Sequence, residues 1–172
     1  MKHAFGLLFV GVSLALGLQA RCTTLPDACG DNKTQFDVKT LKNQPAPAPP
    51  AAGKAQIVFV EEENQWVAPF TNATVRFGMD GAWVGANEGN SYFTIDVAPG
   101  THHLCASWQG TKNLGLAPIT AEPGKVYYFA ANVKVIPTGE NTATYDFDLS
   151  QLDDDAGQYR VKAWKLATAT PR

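Results

Sequence analysis

The chain has 172 residues, 45% of them hydrophobic, with 14 Lys and Arg against 16 Asp and Glu and a formal net charge of −2 at pH 7. That length suits one domain with a real core. The slightly acidic balance, with Lys and Arg scattered singly, excludes a nucleic-acid binder that works through a basic patch.

Met1, Lys2 and His3 form a short basic start, residues 4–18 (AFGLLFVGVSLALGL) are apolar throughout, and Gln19-Ala20 follows. This is the layout of a secretory signal. The run is shorter than the roughly 20 residues that cross a bilayer, and no second one follows, so the mature chain is expected to lack a transmembrane segment. A small residue belongs just before the cleavage point, which places the cut between Ala20 and Arg21 and the product in a secreted or periplasmic location. Cys22 would suit a lipid anchor only behind a small residue, and Arg21 stands there instead.

Residues 21–43 hold too few apolar side chains for a core of their own and are expected to dock on the remainder. Within them FDVKTL (36–41) alternates as an edge strand would. Residues 44–53 (QPAPAPPAAG) read as an extended linker, because each proline fixes φ and removes a backbone donor. A sandwich is expected over 54–166 and a tail over 167–172.

From Ala55 onward the hydrophobic period is two, and helical periodicity is nearly absent. AQIVFV (55–60) is apolar on both faces and suits a central strand. Val75, Phe77 and Met79 face inward with Arg76 outward. Asp80-Gly81 then accepts the positive φ angles of a type I′ hairpin. Phe93, Ile95 and Val97 alternate next, and Pro99-Gly100 turns the chain into a strand with Leu104, Ala106 and Trp108 inward. Strands near 114–121, 125–136 and 142–149 complete an all-β fold, a single antiparallel β-sandwich of about seven to eight strands with a short N-terminal extension.

The pieces VRFGMDGAWVG, NSYFTIDVAPGTHHLCASW and AEPGKVYYF, in that order, resemble a bacterial family of exported proteins of unknown function, numbered 2846, whose sandwich is similar to the PEGA surface modules. The likeness spans about residues 35–159. It implies an exported sandwich and carries no known activity. Its most recognisable residues, among them Asp80, Gly81, Pro99 and Gly100, have turn chemistry as a sufficient explanation.

Three cysteines follow the signal, Cys22, Cys29 and Cys105, and an oxidising compartment would pair two of them. Pairing Cys22 with Cys29 closes a short loop; pairing Cys29 with Cys105 staples the N-terminal segment to the sandwich, which is the preferred arrangement. Cys105, His103 and Asp96 also make chemically plausible ligands for copper or zinc, a metal-binding or thiol-redox reading that lacks a fourth ligand. No G-x-S-x-G, H-E-x-x-H or glycine-rich phosphate loop occurs, and Asp153 to Asp155 read as a solvated turn. The chain is therefore expected to be non-enzymatic and without a cofactor, an exported module for binding or envelope structure whose partner is an envelope protein or a glycan. A carbohydrate-binding module is the alternative. Trp108 reads as core and Trp83 as cross-strand packing, which leaves Trp66 and Tyr92 as the surface aromatics for stacking sugars.

Overall fold

The segment Ala55–Glu61 (β2) is buried along its whole length, and the other strands are arranged around it. In a computed structural model the described residues are 29–31, 33–62, 73–109, 113–140 and 142–172; the signal segment, Cys22 and Trp66 lie outside them. Within them the chain runs β1 (Phe36–Leu41), β2, β3 (Thr74–Met79), β4 (Ala82–Glu88), β5 (Ser91–Val97), β6 (Gly100–Trp108), β7 (Gly115–Ala121), β8 (Val126–Gly139), β9 (Thr142–Leu152), α1 (Asp154–Ala163) and β10 (Lys165–Pro171).

The strands form a six-stranded sheet in the order β1-β10-β5-β2-β8-β9 and a four-stranded sheet in the order β4-β3-β6-β7. Pairing is antiparallel except for β2 with β8 and β10 with β5. The all-β sandwich is therefore present, with ten strands among the described residues.

Both faces of β2 are apolar because both are covered. Ile57 and Phe59 point between the sheets, where they meet Phe77, Phe93, Leu104 and Phe129. The Phe59 ring lies 4.8 Å from that of Phe77 and 5.2 Å from that of Phe93. Full burial of one such side chain stabilises by about 1.5–3 kcal/mol. Val58 and Val60 point the other way, beside Tyr92, Tyr128 and Ala130, and are covered by Val161 and Trp164.

That outer layer contains α1, which the absence of a helical period does not predict. Its start is fixed by polar chemistry instead. Asp153 is the N-cap, its carboxylate accepting from Ala156 N at 2.7 Å. Asp154 and Asp155 occupy the first turn, Arg160 and Lys162 the last, each complementing the helix dipole. The three aspartates are thus a helix start rather than a solvated turn. Gly157 lets α1 approach the sheet, since a Cβ there would overlap the Tyr128 ring.

Residues 167–172, read as a tail, mostly belong to β10. This strand pairs with β1 from Phe36↔Pro171 to Leu41↔Leu166 and fills the place between β1 and β5. The proline-rich residues do not hold two parts at a distance either. They lie against the large sheet, with the Gln56 side chain donating to Ala48 O at 3.1 Å and Ala51 N donating to Asp96 at 3.2 Å.

Candidate functional site

The N-terminal segment is secured to the outer face of the small sheet by point contacts. Cys29 is bonded to Cys105, with Cα atoms 5.5 Å apart across a sequence separation of 76. Of the pairings open to the sequence, this is the staple. Gly78 lies opposite Cys105 in the β3–β6 register, and a side chain on it would strike Cys105 Sγ. Asp31 organises the segment by accepting from Thr34 N at 2.9 Å, Thr34 Oγ1 at 2.8 Å and Lys33 N at 2.7 Å, and these bonds lower its pKa. Trp83 Nε1 donates to Asp31 O at 2.7 Å, and Gln109 accepts from Phe36 N at 2.7 Å.

Arg76 faces away from the core, as alternation predicts, yet it is only 2% exposed, with Thr34 and the Trp83 ring against it. Its Nη1 donates to Thr34 O at 2.8 Å, and its guanidinium stacks 4.3 Å from the centre of the Trp83 ring. Burial lowers its pKa, and the Asp31 carboxylate opposes that shift.

At the hairpin, Asp80 and Gly81 adopt φ of 51° and 90°, the positive values a type I′ turn requires. Asp80 also accepts from His103 N at 2.8 Å and pairs with His102 Nδ1 at 2.6 Å. His102 Nε2 faces Ala98 O at 2.8 Å. A ring between two acceptors satisfies both only as an imidazolium, since neutral imidazole carries one N–H. Burial by itself would lower the His102 pKa; the Asp80 hydrogen bond, the Ala98 carbonyl and the Asp80 charge outweigh it and raise it. In Asp80 burial works upward, but the bonds from His102 and His103 hold the pKa below the usual carboxylate value.

A cleft among the described residues lies at the end of α1. Beyond β1 the backbone turns at Asn43, a non-glycine residue at φ 58°, a conformation that asparagine tolerates better than most. This turn brings residues 42–46 alongside the C-terminal end of α1. Between them opens a cleft of about 390 Å³ lined by Lys42, Asn43, Gln44, Lys162, Trp164 and Lys165, among others. None of the three lysines forms an ion pair with a described residue, and no acidic side chain lines the cleft. Arg160 is the contrast: its guanidinium is paired with Glu62 at 2.9 Å and sits 5.5 Å from the Trp164 ring centre. Ammonium and amide groups can hold an anion and neighbouring hydroxyls.

Several expected site residues are placed elsewhere. Tyr92 is not a surface aromatic: it is 2% exposed in the layer beneath α1, and this burial raises its hydroxyl pKa. Asp96 and Cys105 do not converge, because the turn at Pro99-Gly100 carries the chain from β5 in the large sheet to β6 in the small one. Asp96 bonds Gln56 Nε2 at 3.3 Å, Cys105 is consumed by Cys29, and His103 is exposed. The ligand set of the metal reading is therefore not assembled, and among the described residues no group of three His, Cys, Asp or Glu side chains is gathered. Trp108 is partly buried against the core, as its periodicity predicts. Lys42, Lys162, Lys165 and Trp164 carry no motif; the one available signal is the helix-ending KAWK run at 162–165.

No protein-family model matches the chain, and no curated protein or solved structure is significantly similar to it.

Proposed function

We propose that this chain is an exported, non-enzymatic β-sandwich module that binds an envelope component through the cleft at the end of α1. The observation that carries this reading is the cleft itself, where Lys42, Lys162 and Lys165 line one concavity beside Trp164 with no carboxylate partner among the described residues. Such a concave site, part apolar with a few convergent polar groups, is the usual form of a ligand pocket. Export is supported by the signal-like start and by the Cys29–Cys105 disulfide, and among the described residues no helix is long and apolar enough to cross a membrane.

Two measurements test it. The intact mass of protein from the producing cell should begin at Arg21; a retained Met1 or a diacylglyceryl adduct on Cys22 rejects the proposed maturation. Titration of the labelled mature protein with glycan and protein fractions of the envelope should move the amide resonances of residues 42–44 and 162–165. Shifts confined to other surfaces, or unchanged in a Lys162→Glu, Lys165→Glu variant, reject the cleft as the site.

A carbohydrate-binding module is the second reading. Tyr92 no longer supports it, but Trp164 in the cleft and Tyr159, 69% exposed on α1, supply aromatic surface in its place.

A further inference from the structure

Resting on the reading of the α1 cleft as a binding site, we infer that its ligand is an acidic saccharide, one whose ring carries a carboxylate, sulfate or phosphate.

The charge pattern comes first. The whole chain has a net charge of −2, so three lysines lining one cleft, with no acidic side chain among its described lining residues, run against its overall balance. Like charges gathered in one cleft attract an anion, and more strongly at low salt. Lysine presents compact, rotatable point charges rather than a planar fork. It therefore suits an oxyanion on a flexible or variable carrier better than one fixed bidentate geometry.

The remaining groups point to a sugar as that carrier. Trp164, packed on the outer-layer cluster and lying under the Arg160 guanidinium, lines the cleft with part of its side chain, and that guanidinium is already committed to Glu62. Asn43 and Gln44 carry amides that both donate and accept, the pairing that hydroxyl groups require. Tyr159 stands three and four positions before Lys162 and Ala163, which puts it on the same helical face as two cleft residues and extends the aromatic surface outward.

Shape and size separate this ligand from other polyanions. A volume of about 390 Å³ lies in the range of small-molecule sites, roughly 300–1,000 Å³, and admits a discrete unit rather than a surface. An anionic membrane is recruited by clusters of about four to eight Lys and Arg, more than the cleft holds. A nucleic acid requires a basic track that follows its backbone, and no such track accompanies the cleft on this acidic chain.

The test is a titration of the mature, oxidised protein, followed by amide resonances and calorimetry. The probes are a galacturonate tetramer, a heparin tetrasaccharide and a phosphomannose oligosaccharide, with a neutral galactose tetramer and phosphatidylglycerol vesicles as comparators. At least one acidic probe should bind with shifts at residues 42–44 and 162–165, and raising the salt should weaken it. Lys162→Gln and Lys165→Gln should each reduce the affinity about fivefold, as the loss of one exposed charge pair implies. Both side chains lie at the surface of the cleft, and unchanged circular dichroism and melting would certify the fold. If the neutral tetramer binds the same residues as tightly, or if vesicles bind and saccharides do not, the acidic-saccharide assignment is overturned. If every saccharide fails while envelope fractions still move the cleft resonances, this inference falls and the broader binding reading stands. Should the envelope fractions also leave those resonances unmoved, both fall.

Discussion

Between the sheets, Phe59, Phe77, Phe93 and Phe129 are held by their area: each is at most 8% exposed and touches other rings or aliphatic groups. On the outer face of the small sheet, residues 29–31 and 33–35 bring almost no apolar area beyond Cys29 and are held by a disulfide, a buried guanidinium and an indole N–H. Apolar burial is non-directional and accumulates over many contacts. A short polar segment cannot accumulate it and depends on a few directional bonds. Damage to the first region should therefore spread through the molecule, and damage to the second should stay local.

The largest expected effect is Phe59→Ala, which should cost about 3–5 kcal/mol and shift a single denaturant transition seen by every probe. Separate transitions for the two sheets would break the comparison from the core side. Next comes removal of the staple with Cys29→Ala and Cys105→Ala together, expected to cost about 2–4 kcal/mol through the freed unfolded chain. Hydrogen exchange should then accelerate in residues 29–35 but not in β1, whose pairing with β10 survives. Equal acceleration in both would show that the segment and β1 are one unit.

A smaller loss, about 1–2 kcal/mol, is expected for Arg76→Lys. An ammonium keeps the charge but cannot stack flat on Trp83 while donating to Thr34 O. A denaturant midpoint equal to that of the wild type would remove Arg76 from the set of directional holds. The smallest effect concerns the hairpin pair. The His102 pKa is raised on folding, so its contribution is complete below about 6.5 and disappears as pH rises through the folded value. The Asp80 pKa is lowered, so its contribution is present above about 3.8 and disappears as pH falls through the folded value. Thermal scans should show a shallow stability maximum between those limits, worth less than about 1 kcal/mol for so exposed a pair. His102→Gln should flatten its alkaline side; an unaltered profile would assign that limb to other groups.

Much of the sandwich is legible in the sequence because strand alternation and turn chemistry are local. AQIVFV has no polar face and lies inside a sheet covered on both sides, and Asp80-Gly81 is one of the residue pairs that a two-residue turn favours. Alternation also separates Arg76 from Val75 and Phe77, and Tyr92 from Phe93. It cannot say which outward face acquires a second layer. For Tyr92 the cover is α1, a helix defined by its cap and charges and lacking a continuous apolar stripe. For Arg76 it is a segment more than 40 positions away along the chain, as the Thr34 contact records. The cleft was legible least. Its lysines come from opposite ends of the chain, and only the turn at Asn43 and the end of α1 bring them together.

The pairing of β1 with β10 also bears on how the large sheet is protected. Phe36–Leu41 and Lys165–Pro171 lie at far-separated positions of the sequence, and β10 stands between β1 and β5. If Lys165–Pro171 detaches, β1 loses its neighbour and β5 loses one of its two. Two strand edges are then unpaired at once, the state most open to pairing with another chain. One strand therefore guards two edges against edge-to-edge association.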